Sequence, residues 1–263
     1  MCHRKTVRWI TRLAFVWGLL VICPIQSTNA EEGTSNQLWA SFILGFHTND
    51  RFYTEIDTQP KIQVSGGEEW RSLSLKWLGK YYPNSWIDLI AELKTAYTIQ
   101  TDDLRSFELA PRVGIRFHLV EQIITKTVKS HKRLLERIPV NRFNFAALMR
   151  LEYRNFYYNE EIDSSHETRF RIRPEFKIAI NNPSLGDDKT LFFRADVEFF
   201  VPISDSVPER FVNKTRFRCG FGYRMNYNFR VELLYIYDQN RDSSLEDFTA
   251  DGSMFDFRLK FIF

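Results

Sequence analysis

The stretch Thr168-Arg-Phe-Arg-Ile-Arg-Pro-Glu-Phe-Lys-Ile-Ala-Ile180 alternates without a break between two kinds of side chain. Thr168, Phe170, Ile172, Pro174, Phe176, Ile178 and Ile180 form one set, and Arg169, Arg171, Arg173, Glu175, Lys177 and Ala179 form the other. Successive side chains of a β-strand point to opposite faces, so the pattern predicts a strand with one apolar and one charged face. A helix, with its period of 3.6, would scatter both sets around its circumference. The segment divides an apolar medium from a charged one.

Working outward, the same period returns. Phe107, Leu109, Val113, Ile115, Phe117 and Leu119 alternate with Glu108, Arg112, Arg116 and His118. Leu191, Phe193, Ala195, Val197, Phe199 and Val201 oppose Arg194, Asp196 and Glu198. Phe217, Cys219, Phe221 and Tyr223 oppose Arg216, Arg218 and Arg224, while Phe229, Val231, Leu233, Tyr235 and Tyr237 oppose Arg230 and Glu232. Weaker strands fit 37–46, 50–57, 70–78, 86–98, 143–157 and 253–263, and polar turns separate them. Strands of about ten residues joined by such turns are the pattern of a transmembrane barrel. A soluble barrel or sandwich would alternate equally well, with its apolar face inward.

Two features favour the membrane. The chain closes on Phe255-x-Phe257-x-Leu259-x-Phe261-x-Phe263, an alternating strand with an aromatic last residue. Such a strand resembles the one that the outer-membrane barrel assembly machinery recognises, which makes Phe263 the expected assembly signal. Eleven amphipathic strands also present more apolar face than the interior of a small soluble barrel can take in. Bacterial single-chain barrels have even strand numbers, so an all-β, antiparallel up-and-down barrel of about twelve strands is expected, with ten as the alternative. The missing strand falls in 59–66 or in 120–141. The latter reads as a basic insertion: strand-like Gln122–Val128, then Lys129, Lys132, Arg133 and Arg137, with Leu134, Leu135 and Ile138 at helical spacing.

The first thirty residues read as a cleavable secretory signal. Arg4, Lys5, Arg8 and Arg12 precede an eleven-residue apolar run, Leu13 to Cys23, and the exit Thr28-Asn29-Ala30 places cleavage after Ala30. The run is too short for a spanning helix. The expected organisation is a signal over 1–30 and one barrel domain over 31–263. The signal takes four of the 36 basic residues and none of the 33 acids, leaving a mature chain of net charge −1. No nucleic-acid partner follows from that balance. Cys219 is then the sole cysteine, so the fold holds without an internal disulfide.

Several segments resemble a known family: Arg150-Leu-Glu-Tyr-Arg154, Arg169-Phe-Arg-Ile-Arg-Pro-Glu175, Arg216-Phe-Arg-Cys-Gly-Phe-Gly-Tyr223, Arg230-Val-Glu-Leu-Leu-Tyr235 and the opening Leu38-Trp39. They are similar to an uncharacterised family of Gram-negative outer-membrane barrels, the domain of unknown function twenty-four-ninety. The resemblance spans essentially the whole mature chain. It implies fold and location, and it brings no activity, cofactor or catalytic residue. The insertion at 120–141 is longer than the resemblance suggests.

With charged faces inward, the lumen-facing candidates are Arg112, Arg116, Arg150, Glu152, Arg154, Arg169, Arg171, Arg173, Glu175, Arg194, Glu198, Arg216, Arg218, Arg230 and Glu232. Lys76, Lys94, Lys177, Arg210, Lys214, Arg224, Arg258 and Lys260 extend the basic set to nineteen, against twelve acids. Paired, these charges fill a narrow interior structurally; unpaired, the basic excess makes a narrow, porin-like channel that prefers anions. An outer-membrane enzyme acting on lipid or lipopolysaccharide is a second reading. Its best candidate, His166 beside Asp163, Ser164 and Ser165, matches a triad in composition without the spacing of one. A binding barrel that uses its acidic loops is a third. No metal-ligand spacing or phosphate loop is present, so no metal and no cofactor is expected. Outer-membrane lipid, lipopolysaccharide and the assembly machinery are the expected partners, and the oligomeric state stays open. Trp39, Trp70, Trp77, Trp86, Tyr81, Tyr82, Tyr157, Tyr158, Tyr235 and Tyr237 gather near strand ends, as membrane-interface rings do.

Overall fold

The computed structural model describes residues 35–66, 70–100, 104–120, 123–127, 135–139, 141–159, 164–203, 213–241 and 248–263. The expected signal and the cleavage position after Ala30 lie outside the described residues. The strands, in chain order, are β1 (Ser35–His47), β2 (Phe52–Ser65), β3 (Arg71–Tyr81), β4 (Ile87–Ile99), β5 (Arg105–His118), β6 (Ile123–Thr127) and β7 (Leu135–Pro139). They continue with β8 (Phe143–Tyr158), β9 (Ser165–Ala179), β10 (Thr190–Pro202), β11 (Lys214–Arg224), β12 (Phe229–Asn240) and β13 (Thr249–Ile262). Eleven of them close into one barrel, in the order β1-β13-β12-β11-β10-β9-β8-β5-β4-β3-β2, and β6 and β7 pair only with each other.

The barrel therefore has eleven strands where the parity rule asks for twelve, and the reason is its seam. In an up-and-down meander each strand reverses the last, so the first and last of an odd set run the same way. β1 and β13 do so: they pair in parallel from Ser35 opposite Gly252 to Gly45 opposite Ile262. Every other neighbouring pair is antiparallel. The parity rule presumes antiparallel closure, and a parallel seam removes that premise. Neither proposed site of a missing strand supplies one. Residues 59–65 are the second half of β2. The insertion forms a hairpin between β5 and β8, pairing Ile123 with Pro139 and Thr127 with Leu135. Leu135–Pro139 is thus extended, despite its helix-like spacing of apolar residues.

Three prolines sit inside barrel strands, where the missing N–H interrupts one ladder and spares the other. At Pro60 the β1–β2 register skips from Trp39–Lys61 to Phe42–Thr58, while Pro60 stays opposite Leu73 on β3. Pro111 leaves the same gap towards β8 and Pro174 towards β10. Proline is tolerated because each wall position needs its full hydrogen bonding on one side only.

Polarity is inverted relative to a soluble domain. Trp77 is 60 % exposed, Val113 58 % and Leu233 53 %, whereas Glu152, Glu198 and Asp256 are completely buried. The apolar set of each strand faces out and the charged set faces in. Aromatic pairs mark both ends of the outer wall. Phe46–Phe263, Phe52–Tyr81 and Phe229–Phe261 stand at the end that carries Phe263, Phe107–Tyr157 stands at the opposite end, and Tyr235–Phe255 lies between them. Phe263 is tied in by its own N–H, which donates to the Gly45 carbonyl at 2.8 Å, and by its carbonyl, which accepts from His47. Trp39 departs from the expected belt, because its odd-numbered face of β1 is the inner one. Its ring packs on Leu234, Ile236 and Met254 inside the barrel.

The segment between β9 and β10 folds over the mouth at the Phe263 end. Leu185 is buried with Ala179 and Phe192. Arg224, 2 % exposed, donates to the Gly186 carbonyl at 2.5 Å, and Lys189 turns the chain back with φ 57°. Gly222 must be glycine here, since a Cβ would meet the Phe192 ring at 2.2 Å.

The seam can be tested by chemistry. In a Cys219→Ala background, Leu44→Cys and Phe261→Cys face each other across β1 and β13. Copper-phenanthroline oxidation should link them within one chain, which non-reducing electrophoresis detects as a faster denatured band. Absence of that link in folded protein contradicts the parallel closure.

Candidate functional site

Small barrels of about eight strands are filled by ordinary side chains, and a larger number leaves more room inside. Here long arginine and lysine side chains occupy it, standing on inward-facing positions of every barrel strand except β1. They line a cavity of about 590 Å³ inside the barrel. Thirteen of the fifteen sequence candidates line that cavity. The remaining two, Glu152 and Glu198, lie completely buried beneath the arginines that do.

The charges are wired into one chain across seven strands. Arg112 on β5 bridges Glu92 on β4 and Glu152 on β8, the latter through Nε at 2.5 Å. Arg171 on β9 donates to Glu152 at 2.7 Å and to Glu198 on β10 at 2.5 Å. Arg218 on β11 then joins Glu198 at 2.9 Å to Asp196 at 2.6 Å. Arg194 carries the chain from Asp196, at 3.2 Å, to Glu232 on β12, at 2.8 Å. Side branches add Arg150 to Glu92 at 3.2 Å, Arg116 and Arg173 to Glu175 at 3.1 and 2.5 Å, and Arg169 to Glu152. Arg154 reaches Glu108 at 2.8 Å, and Arg216 donates two bonds of 2.6 Å to Asp238. Arg230 alone of the fifteen has no ion pair among the described residues.

Burying a charge is costly unless it is paired and hydrogen-bonded. The planar guanidinium suits this task because its forked N–H groups serve two carboxylates at once. That explains why arginine and not lysine holds the middle of the barrel. The interior is not wholly charged: Leu78, Ile90 and Leu148 form one buried apolar patch, and Leu234, Ile236 and Met254 another.

Sequence reading missed two cavity-lining cations. Lys61 and Lys80 lie near the far ends of β2 and β3, outside the bounds 50–57 and 70–78 that the alternation predicts for these strands. Each keeps the parity of its strand, Lys61 with Asp57 and Gln59, Lys80 with Lys76. Arg210 lies outside the described residues. Among the described residues, twenty basic residues and twelve acids line the cavity or are buried beside it, an excess of eight basic groups. His166 stands at the exposed start of β9, its ring 6.1 Å from that of Tyr153. Ser164 and Ser165 are exposed beside it, and Asp163 lies outside the described residues. A buried His118–Asp88 pair, 2.9 Å apart, closes the wall near the Phe263 end.

The geometry defines a class: a closed β-barrel with an apolar outer wall and a charge-paired interior. Within that class, the chain belongs to the DUF2490 family of proteins of unknown function, whose model matches residues 36–249. The match runs from β1 to the first residue of β13, so the strand that closes the barrel extends beyond it. No curated protein matches the chain.

Glu198 tests the lattice. It holds Arg171 and Arg218 and is completely buried. Glu198→Gln strands charge in the interior, and removing one partner of a buried pair costs about 3–5 kcal/mol. Urea unfolding of detergent-folded protein, followed by the unboiled gel band, should show a loss of that size. Asp50→Asn, in an exposed turn, should stay within about 0.5 kcal/mol of wild type. Equal midpoints would mean the lattice contributes nothing.

Proposed function

We propose that this chain is an outer-membrane β-barrel of a Gram-negative bacterium, exported behind an N-terminal signal, whose interior is a narrow pathway that prefers anions. The inversion of polarity carries the reading. A belt of Trp77, Val113, Leu233 and their neighbours at these exposures would be an aggregation surface in water. Against acyl chains it is the normal exterior of a membrane barrel, and aromatic pairs at both ends suit headgroup depth. Lipid, lipopolysaccharide and the assembly machinery are its partners on this reading.

The anion preference follows from the excess of eight basic groups around a cavity enclosed by a low-dielectric wall, which raises the local concentration of anions. The cavity equals the liquid volume of about twenty waters, room enough for small hydrated anions. The reading includes no catalytic step. Complete burial of Glu152 and Glu198 favours a second reading, a barrel sealed by its own lattice and structural in role.

Planar bilayers separate the two. Purified protein in a potassium chloride gradient should give a reversal potential displaced towards that of chloride. Lys61→Glu combined with Lys80→Glu should reduce the displacement, since neither lysine holds a carboxylate whose loss would disturb the lattice. A potential displaced towards potassium contradicts the charge argument, and absence of current in folded protein favours the sealed barrel.

A further inference from the structure

Of the nineteen basic side chains that line the central cavity, fifteen have a carboxylate within ion-pair distance. Among the described residues Lys61, Lys80, Lys177 and Arg230 do not. Lys61 sits over the Trp39 ring at 3.8 Å, and Lys80 faces Tyr53 at 5.2 Å. Ring faces partly satisfy an ammonium group. Among the described residues Lys177 and Arg230 have no such contact.

These two meet at one place. Both line the central cavity and also a second one, of about 190 Å³, at the Phe263 end of the barrel. Cross-strand register sharpens the imbalance there. Arg230 stands directly opposite Arg224 on β11 and Lys260 on β13, and Lys177 stands opposite Arg194 on β10. Like charges directly opposite one another destabilise a sheet. The Arg230 Nε is buried without a hydrogen-bond partner. The carboxylates of the same wall are already engaged: Asp88 with His118, Glu175 with Arg116 and Arg173, and Glu232 with Arg194. Among the described residues these two inward cations therefore have no carboxylate within ion-pair distance, the acids that share their cavity being engaged with other cations.

We propose that this vestibule binds one phosphate group, held between Arg230 and Lys177. A guanidinium fork takes two oxygens of a tetrahedral oxyanion and an ammonium group takes a third. A dianion offsets both cations together, whereas one halide offsets a single charge. The site deepens the anion-pathway reading and rests on it for the ligand's route inward. The phosphate comes either free in solution or on a lipid headgroup.

The test uses the full mature barrel, folded in detergent, with inorganic phosphate and short-chain phosphatidic acid as probes. Each is titrated calorimetrically at constant ionic strength set by chloride. We expect one saturable site for at least one probe, and the tighter of the two names the source. Arg230→Gln and Lys177→Gln should each weaken it at least tenfold, while Arg51→Gln, in an exposed turn at the same mouth, should leave it unchanged. Because the variants can fail to fold, the wild-type thermal transition is measured as well, and phosphate should raise it relative to chloride at equal ionic strength. No saturable binding of either probe to wild type, or equal loss in Arg51→Gln, overturns the proposal. Saturable binding without anion-selective current would keep the site and remove the channel; selective current without saturable binding would do the reverse.

Discussion

Glu152 and Glu198 are stripped entirely of water, and the arginines that pair with them set the terms for the rest of the barrel. An unpaired carboxylate in such a place would be prohibitive. Pairing it demands that Arg112, Arg171 and Arg218 arrive from three other strands at fixed heights, which pins the registers of β5, β8, β9, β10 and β11 against one another. A slip of one residue in any of these strands would turn its arginines outward and its aromatic residues inward. The lattice is therefore the device that specifies register, and the apolar outer wall is its necessary complement.

Strand number follows from the same filling problem. Eleven strands enclose more space than eight, and the extra space suits side chains the length of arginine. An odd number is permitted because β1 and β13 pair in parallel, which also sets Ser35 and Phe263 at opposite ends of the barrel. The lattice reaches from β4 to β12, and the seam has contacts of its own: the Ser41 hydroxyl donates to Asp256 at 3.0 Å, and Lys260 on β13 reaches past β1 to Glu55 on β2 at 2.5 Å.

Much of this is legible in the sequence because a wall that separates two media must alternate, and alternation survives every local irregularity except a bulge. The charged face of 168–180 gives the orientation of β9 directly, and β10 to β12 follow by the same parity. Strand ends were harder to see. Lys61 lies beyond Pro60, where a proline reads as a stop, although the strand continues through it. Trp39 looked like an interface residue because it is aromatic and near an end, yet parity with Ser41 and Ile43 places it inside. Parallel closure leaves no mark in the sequence of either strand, since both faces alternate identically in parallel and antiparallel ladders. In 120–141 the apolar spacing suited a helix, while β-branched Ile123, Ile124 and Thr125 suited the hairpin that forms. The sequence held no sign that Arg230 and Lys177 would share a cavity whose acids pair with other cations, because pairing depends on barrel closure.

On the proposed membrane reading, β9 presents Phe170, Ile172, Phe176 and Ile178 to lipid and Arg171, Arg173 and Glu175 to the interior. Nitroxide labels placed singly along 170–178, in a Cys219→Ala background reconstituted in bilayers, measure this residue by residue. Relaxation by oxygen, which concentrates in lipid, should peak at the even positions and drop at the odd ones. A reversed alternation, or even positions open to a water-soluble nickel reagent along the whole strand, would contradict the account.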